Sequence, residues 1–110
     1  MARVQSKTLK FSPSSSSDVT EYFVYFAPAA TPTNLSYTST KTSIGNPLPG
    51  ADGKIAVDMS QFDLIRTLDG KYDIGLTAMD NGGNESSMAT ILGVELDFTA
   101  PSAPTELEIV

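Results

Sequence analysis

Residues 80–85, DNGGNE, place the oxygen-bearing side chains of Asp80, Asn81, Asn84 and Glu85 around two glycines, directly after an apolar run. Oxygen donors at that density could hold a hard cation such as calcium, which takes 6–8 oxygen ligands. The spacing lacks the D-x-[DN]-x-[DN]-G order of a calcium loop. Two carboxylate pairs, Asp52 with Asp58 and Asp63 with Asp69, have the right chemistry for acid–base work. Such a pair must flank a cleft at controlled separation, and nothing in the pattern around them predicts a cleft. The run of hydroxyls at Ser14, Ser15, Ser16 and Ser17 has no base beside it to activate a nucleophile. The chain contains no histidine and no cysteine. That excludes the Ser-His-Asp triad, thiolate zinc sites, iron–sulfur clusters, disulfides and cysteine nucleophiles. The expectation is therefore a protein that is not an enzyme and that carries no metal or other cofactor. Asn34-Leu35-Ser36 and Asn84-Glu85-Ser86 match the glycosylation acceptor, a triplet short enough to arise by chance.

Charge narrows the partners. The net charge is −6 over 110 residues, and it is unevenly spread. Arg3, Lys7 and Lys10 precede the first acid, Asp18. After Lys71 no basic residue follows, whereas Asp73, Asp80, Glu85, Glu95, Asp97, Glu106 and Glu108 all do. Nucleic acid is excluded as a partner, because its phosphates demand a basic face. A basic start and an acidic finish permit head-to-tail attraction between copies; the plainer reading is an acidic solvated edge. No apolar run approaches the roughly 20 residues that span a membrane. The N-terminal MARVQSKTLKF has no apolar stretch of signal-peptide length.

The elements that must position these groups are strands. Apolar residues recur with period two between clusters of Ser, Pro, Gly and Asn, and no segment of useful length carries helical spacing. Leu9 and Phe11 share one face of a first strand. In TEYFVYFAP, Tyr22, Val24 and Phe26 lie on one face and Phe23 and Tyr25 on the other, as in a strand covered on both sides. Pro28 and Pro32 end it, and NLSYTSTKTSIG predicts an exposed strand with Leu35 and Tyr37 in phase. NPLPGADGK is loop. KIAVDM turns Ile55, Val57 and Met59 inward. SQFDLIRTLDG predicts one short helical turn with Ser60 as its cap. KYDIGLTAMD puts Tyr72, Ile74, Leu76 and Ala78 on one face. SMATILGVELDF is a long final strand, followed by a proline-marked linker.

These segments resemble a fibronectin type III domain entered at its second strand. KTLKFSPSSSSDVTEYFVYFAP is similar to that family's second strand, loop and third strand, with Phe11 at the place of the core tryptophan and Tyr22 and Val24 as the inward pair. LDGKYDIGLTAMDNGGNESS resembles the segment that ends in the family's A-x-D-x-x-G-N-x-S turn. The resemblance implies an all-β, antiparallel two-sheet β-sandwich of about seven strands, immunoglobulin-like. It implies that Leu68 and Tyr72 form a tyrosine corner. It also makes the 80–85 loop a turn, in which the Asp80 carboxylate caps backbone amides and Gly-Asn supplies positive φ. Phe11, Tyr22, Val24, Leu68 and Tyr72 are the expected structural core. Residues 34–54 have no close match, and the integrin-binding Arg-Gly-Asp of some members is absent.

The expected layout is a domain over residues 1–98 and a linker with a terminal strand over 99–110. The implied function is a non-catalytic module for protein–protein interaction or spacing, extracellular or at the cell surface, in mature form without a leader. Phe23, Tyr25 and Tyr37 form a candidate interaction surface for protein or carbohydrate; a neighbouring strand or the 43–54 loop could instead cover them. Leu107 and Ile109 alternate with Glu106 and Glu108 as a terminal strand with no following partner. That strand could begin a next repeat, complete its own sandwich, or complete a neighbour's, giving a surface filament.

Overall fold

The computed structural model describes residues 8–62, 65, 68–97, 104, 105, 108 and 109. Six strands form among them, of the about seven expected: β1 (Thr8–Phe11), β2 (Val19–Pro28), β3 (Thr40–Gly45), β4 (Ile55–Asp58), β5 (Asp69–Asp80) and β6 (Ala89–Asp97). They make two antiparallel sheets, β1-β4 and β3-β2-β5-β6. The long strands β2 and β5 run side by side at the centre of the larger sheet, with Tyr22 opposite Ala78, Val24 opposite Leu76 and Phe26 opposite Ile74. Directly opposed residues share a face. These six therefore point the same way, into a core that the smaller sheet joins through Ile55, Val57 and Met59 and that Ile44, Ile65 and Leu96 complete. The period-two pattern of β2, β4 and β5 thus sorts side chains as the alternation predicts.

Strand β6 cannot keep that period. Tyr72 faces Val94 but Ile74 faces Ile91, so two residues of β6 stand against Asp73 alone. This is a β-bulge, and Gly93 occupies it with φ +68°, a left-handed conformation that glycine adopts without a Cβ clash. The bulge changes the phase of the strand. Without it, Ile91 would lie on the face opposite Val94 and Leu96; with it, all three face inward.

Two local expectations are corrected. Residues 34–39 form no strand, and β3 begins only at Thr40. Their hydroxyls take local backbone partners: the Ser36 amide donates to Ser39 Oγ at 2.9 Å, the Ser39 amide to the Ser36 carbonyl at 3.0 Å, and the Leu35 amide to Thr33 Oγ1 at 3.2 Å. Serine and threonine in this way offer the backbone a turn in place of a ladder. Of the helical turn expected within residues 60–70, Ile65 is helical and residues 63, 64, 66 and 67 lie outside the described ones; a 3-10 turn over Met59–Gln61 precedes it, capped by Asp58 rather than Ser60. Asp58 Oδ1 accepts from the Ser60 amide at 3.0 Å and from the Ser60 hydroxyl at 2.6 Å.

The two edges of the larger sheet are covered unequally. On β3, Ile44 is 7% exposed; on β6, Ile91 is 55% exposed although it faces the same way. The β3–β4 connection carries the chain straight across to the smaller sheet, where Asn46, Pro47 and Pro49 line one recess with Tyr22 and Ile55. Strand β4 therefore lies beneath the β3 side. Truncating the two isoleucines should show the difference: Ile44→Ala should cost about 2–4 kcal/mol and Ile91→Ala under about 1 kcal/mol, by urea denaturation.

Candidate functional site

The outer face of the larger sheet carries the aromatic residues singled out above. Tyr25 on β2 stands opposite Gly75 on β5, and Phe23 opposite Thr77. Gly75 has no side chain, and other groups occupy that space. A Cβ there would collide with Met88 and come within 3.1 Å of Leu35 Cδ2. Two segments thus fold across the outer face, one through Leu35 and Tyr37 and one through Glu85 to Met88. Tyr25 lies under them, 0% exposed.

This corrects the expectation that Tyr25 belongs to an exposed interaction surface. A buried phenol needs a partner. Tyr25 donates its hydroxyl proton to Glu85 Oε2, which also accepts from Thr77 Oγ1 at 2.5 Å. Burial, then the bond to Glu85 and the charge of Glu85, push the Tyr25 pKa up to about 12. Burial also pushes the Glu85 carboxyl up. Hydrogen bonds from Thr77 and Tyr25 and the field of Lys41 together outweigh it and leave that carboxyl below its usual range. The Lys41 ammonium sits 4.5 Å from the centre of the Phe23 ring and 5.5 Å from that of Tyr25, a cation–π arrangement across the β2–β3 pair. Phe23 is half-buried beneath it. Tyr37 is 51% exposed, meets Tyr25 edge-on at 6.0 Å, and donates its hydroxyl to the Ser86 carbonyl at 2.9 Å. The cover comes from the 35–37 segment and the 85–88 loop, not from residues 43–54. Phe23 and Tyr37 remain as the accessible members of the predicted surface.

Asp73, one register step away on the same face, is 1% exposed. Its carboxylate accepts from Thr33 Oγ1 at 2.5 Å, the Gly93 amide at 3.0 Å and the Ala30 amide at 3.4 Å. Thr33 first, then Gly93 and Ala30, hold its pKa below the usual carboxylate value against the opposing effect of burial. Sequence reasoning counted Asp73 only as one of seven late acids. The signal available in the sequence was a carboxylate on the outward row of β5 with Gly75 and Thr77; the register that sets it against Gly93 is visible only in the structure.

The 80–85 loop is a turn built on Asp80. Its Oδ1 accepts from the amides of Gly82 and Asn84, both at 2.9 Å, and the Asn84 side chain donates to both carboxylate oxygens. Gly83 takes φ +81°. The Asn84 amide, followed by its side chain and the Gly82 amide, lowers the Asp80 pKa. Among the described residues no group of three or more His, Cys, Asp or Glu is arranged to hold a metal ion. Of the paired carboxylates, Asp52 meets Lys10 at 2.6 Å and its own turn amide at Lys54, while Asp58 caps the 3-10 turn. Asp69 is exposed, and Asp63 lies outside the described residues.

The predicted core residues lie against one another as expected for β1 and β2. Tyr22 and Val24 are buried, and Phe11, Leu68 and Tyr72 are partly buried against the core. Phe11 and Tyr22 pack with ring centres 5.1 Å apart. Tyr22 also accepts the Ser14 amide on its hydroxyl at 3.0 Å, which ties down the β1–β2 loop. The Tyr72 hydroxyl has no hydrogen-bond partner among the described residues. Ile109 is wholly exposed; Leu107 lies outside the described residues. No described helix is long and apolar enough to cross a membrane. No protein-family model, curated protein or solved structure matches the chain.

The chemistry of this face has two pH signatures. Folding lowers the pKa of Asp73, Asp80 and Glu85. Their stabilisation is therefore present above the unfolded carboxylate values, near pH 4, and is lost as pH falls through the folded ones. Folding raises the pKa of Tyr25 to about 12. That contribution is complete below the unfolded value of about 10 and is lost as pH rises through the folded one. In an ultraviolet titration of the four tyrosines, one should ionise only near pH 12. The late component should vanish in Tyr25→Phe, which should also cost about 1–3 kcal/mol by leaving Glu85 short of a donor.

Proposed function

We propose that this chain is a β-sandwich of the fibronectin type III kind, serving outside the cell or at its surface as a non-catalytic module for protein interaction and spacing. The observation that carries this is the strand order, β1-β4 in one sheet and β3-β2-β5-β6 in the other. Immunoglobulin-like sandwiches pair their second and fifth strands in one sheet and place the third, sixth and seventh together in the other, with an extra edge strand beside the third in some of them. Strands β1 and β4 take the first two places, β2, β5 and β6 the next three, and β3 the extra edge. The side chains of residues 68–87 that carry the family resemblance fall on β5 and its turn, where such a fold would put them.

The state of the carboxylates supports a non-catalytic role. Asp73, Asp80 and Glu85 receive their hydrogen bonds from this chain's own amides and hydroxyls. A group so engaged gives rigidity to the face instead of a free acid or base. Contact with a partner falls to Phe23, Tyr37 and the neighbouring loops, and the partner class is protein.

Adhesion of the chain, displayed on beads, to protein-coated and glycan-coated surfaces tests this. A Phe23→Ala, Tyr37→Ala double variant should lose at least about fivefold of its binding to protein, the loss expected for contact residues at an interface. Because Tyr37 also covers Tyr25, its melting temperature should fall somewhat while its circular dichroism spectrum stays that of the folded chain. Binding confined to glycans would move the function to carbohydrate recognition. Turnover of any hydrolase substrate that depends on Glu85 or Asp73 would overturn the non-catalytic reading.

A further inference from the structure

The uneven cover of the larger sheet leaves a site. Strand β1 pairs with β4 on one side, and its other edge has no strand among the described residues. Beside that edge the inner face of the larger sheet is open. Leu76 and Ala89 stand opposite each other there, as do Ile74 and Ile91. Phe11, Tyr22, Leu76, Ala78 and Ala89 form the apolar part of a cleft of about 310 Å³ at this place, the rest of its lining being serines and Thr77. Ile91, the next inward residue along β6, is more than half exposed. An apolar strip of this kind, bordered by a free strand edge, has the geometry of a slot for one more strand: backbone groups on β1 to continue the ladder, and an apolar floor for every second side chain.

We propose that this slot receives the terminal segment Thr105–Val110 of a second copy of the chain, joining molecules head to tail. This deepens the module reading above by naming one partner and its site. The segment has the period the slot requires, with Leu107 and Ile109 alternating with Glu106 and Glu108. Leu107 and Ile109 would enter against Leu76, Ala89 and Ile91, while the two glutamates turn outward. On the receiving side the exposed charge of β1 is Lys10, of the opposite sign; it meets Asp52 of its own molecule at 2.6 Å, and an incoming glutamate would share that ammonium. Opposite charges on neighbouring strands favour pairing. Ile109 is wholly exposed in its own molecule, so its side chain is unpacked where it stands. Because the donated strand and the slot are different surfaces, each bound molecule presents a fresh end, and the contact propagates into a filament.

Two variants of the full chain separate slot from strand. Ile91→Lys spoils the slot and leaves the tail intact; Leu107→Asp, Ile109→Asp spoils the tail and leaves the slot. Light scattering across a concentration series should show the unmodified chain rising to at least twice the single-chain mass of 11.6 kDa. Each variant alone should stay at that mass, with an unchanged circular dichroism spectrum and melting curve. Mixed in equal amounts, the two should form a capped dimer, since one supplies the strand and the other the slot. A synthetic peptide of residues 104–110 should lower the mass of the unmodified chain.

Three outcomes overturn the proposal. The unmodified chain could stay monomeric at every concentration; if its tail variant then also melts earlier, the segment packs within its own molecule. Association could survive the tail change, which would assign it to edge pairing of β6. Or the mixed variants could fail to dimerise. In each case a folded, cooperative monomer leaves the module reading standing, and only loss of the β-sheet spectrum in the unmodified chain would remove both.

Discussion

The carboxylate of Asp73 is the constraint on which the rest of this structure depends. It is almost wholly buried on the outer face of β5, and all three of its donors are neutral. A buried charge without hydrogen bonds would be expensive. Here each donor belongs to a different part of the chain, so satisfying the charge also fixes geometry. The Gly93 amide fixes the bulge of β6, which turns Ile91, Val94 and Leu96 to the same face. The Thr33 hydroxyl and Ala30 amide fix the start of the segment that crosses the outer face. One anion thereby sets the phase of an edge strand and the path of a loop.

That crossing segment changes what the outer face is. Leu35, Tyr37 and Met88 cover Tyr25 above the glycine at position 75, so the larger sheet is packed on both sides near its centre. The polar part of this second layer is a closed network of Tyr25, Thr77 and Glu85, flanked by Lys41. Its groups polarise one another in a dry setting, and each depends on the others for its partner. The face is therefore rigid at its centre and accessible at its margins, among them at Phe23 and Tyr37. The inner face shows the reverse arrangement: well sealed beneath β3, open beneath β6. Among the described residues a four-stranded sheet faces a two-stranded one, and the deficit falls on the side where β1 has no neighbouring strand.

Much of the core was legible in the residue pattern. Ile55 and Val57 on β4 with Met59 just after it, and Tyr72, Ile74, Leu76 and Ala78 on β5, alternate with mostly polar or small residues, while Tyr22, Val24 and Phe26 on β2 alternate with the aromatics Phe23 and Tyr25. Period two states which face each will take. The Asp80 turn was equally legible, since an aspartate followed by Gly-Gly-Asn carries its own acceptor and positive-φ position. Residues 34–39 misled because their spacing mimics a strand while their serines and threonines supply competing local bonds. Ser60 was the cap read from the sequence, but the backbone path brings the Asp58 carboxylate to the Ser60 amide instead. That something could cover Tyr25 was legible in a strand apolar on both faces; what covers it was not. Its cover comes from Leu35, Tyr37 and the 85–88 loop, distant along the chain, and alternation describes a strand without saying what will lie across it.

What the sequence determined by itself was local: the all-β class, the inward residues of each long strand, the turn at Asp80, and the lack of histidine and cysteine that removes most catalytic chemistry. These follow from periodicity, side-chain type and short-range hydrogen bonding, which act within a few residues. What the tertiary structure decided was long-range: that Asp73 anchors a bulge and a loop, that Tyr25 is a buried donor instead of a contact residue, and that one edge of the larger sheet lies open beside β1. Those outcomes depend on which strands neighbour one another and on which side the smaller sheet sits. Both are set by the burial of the whole apolar surface at once, a property that no single segment carries.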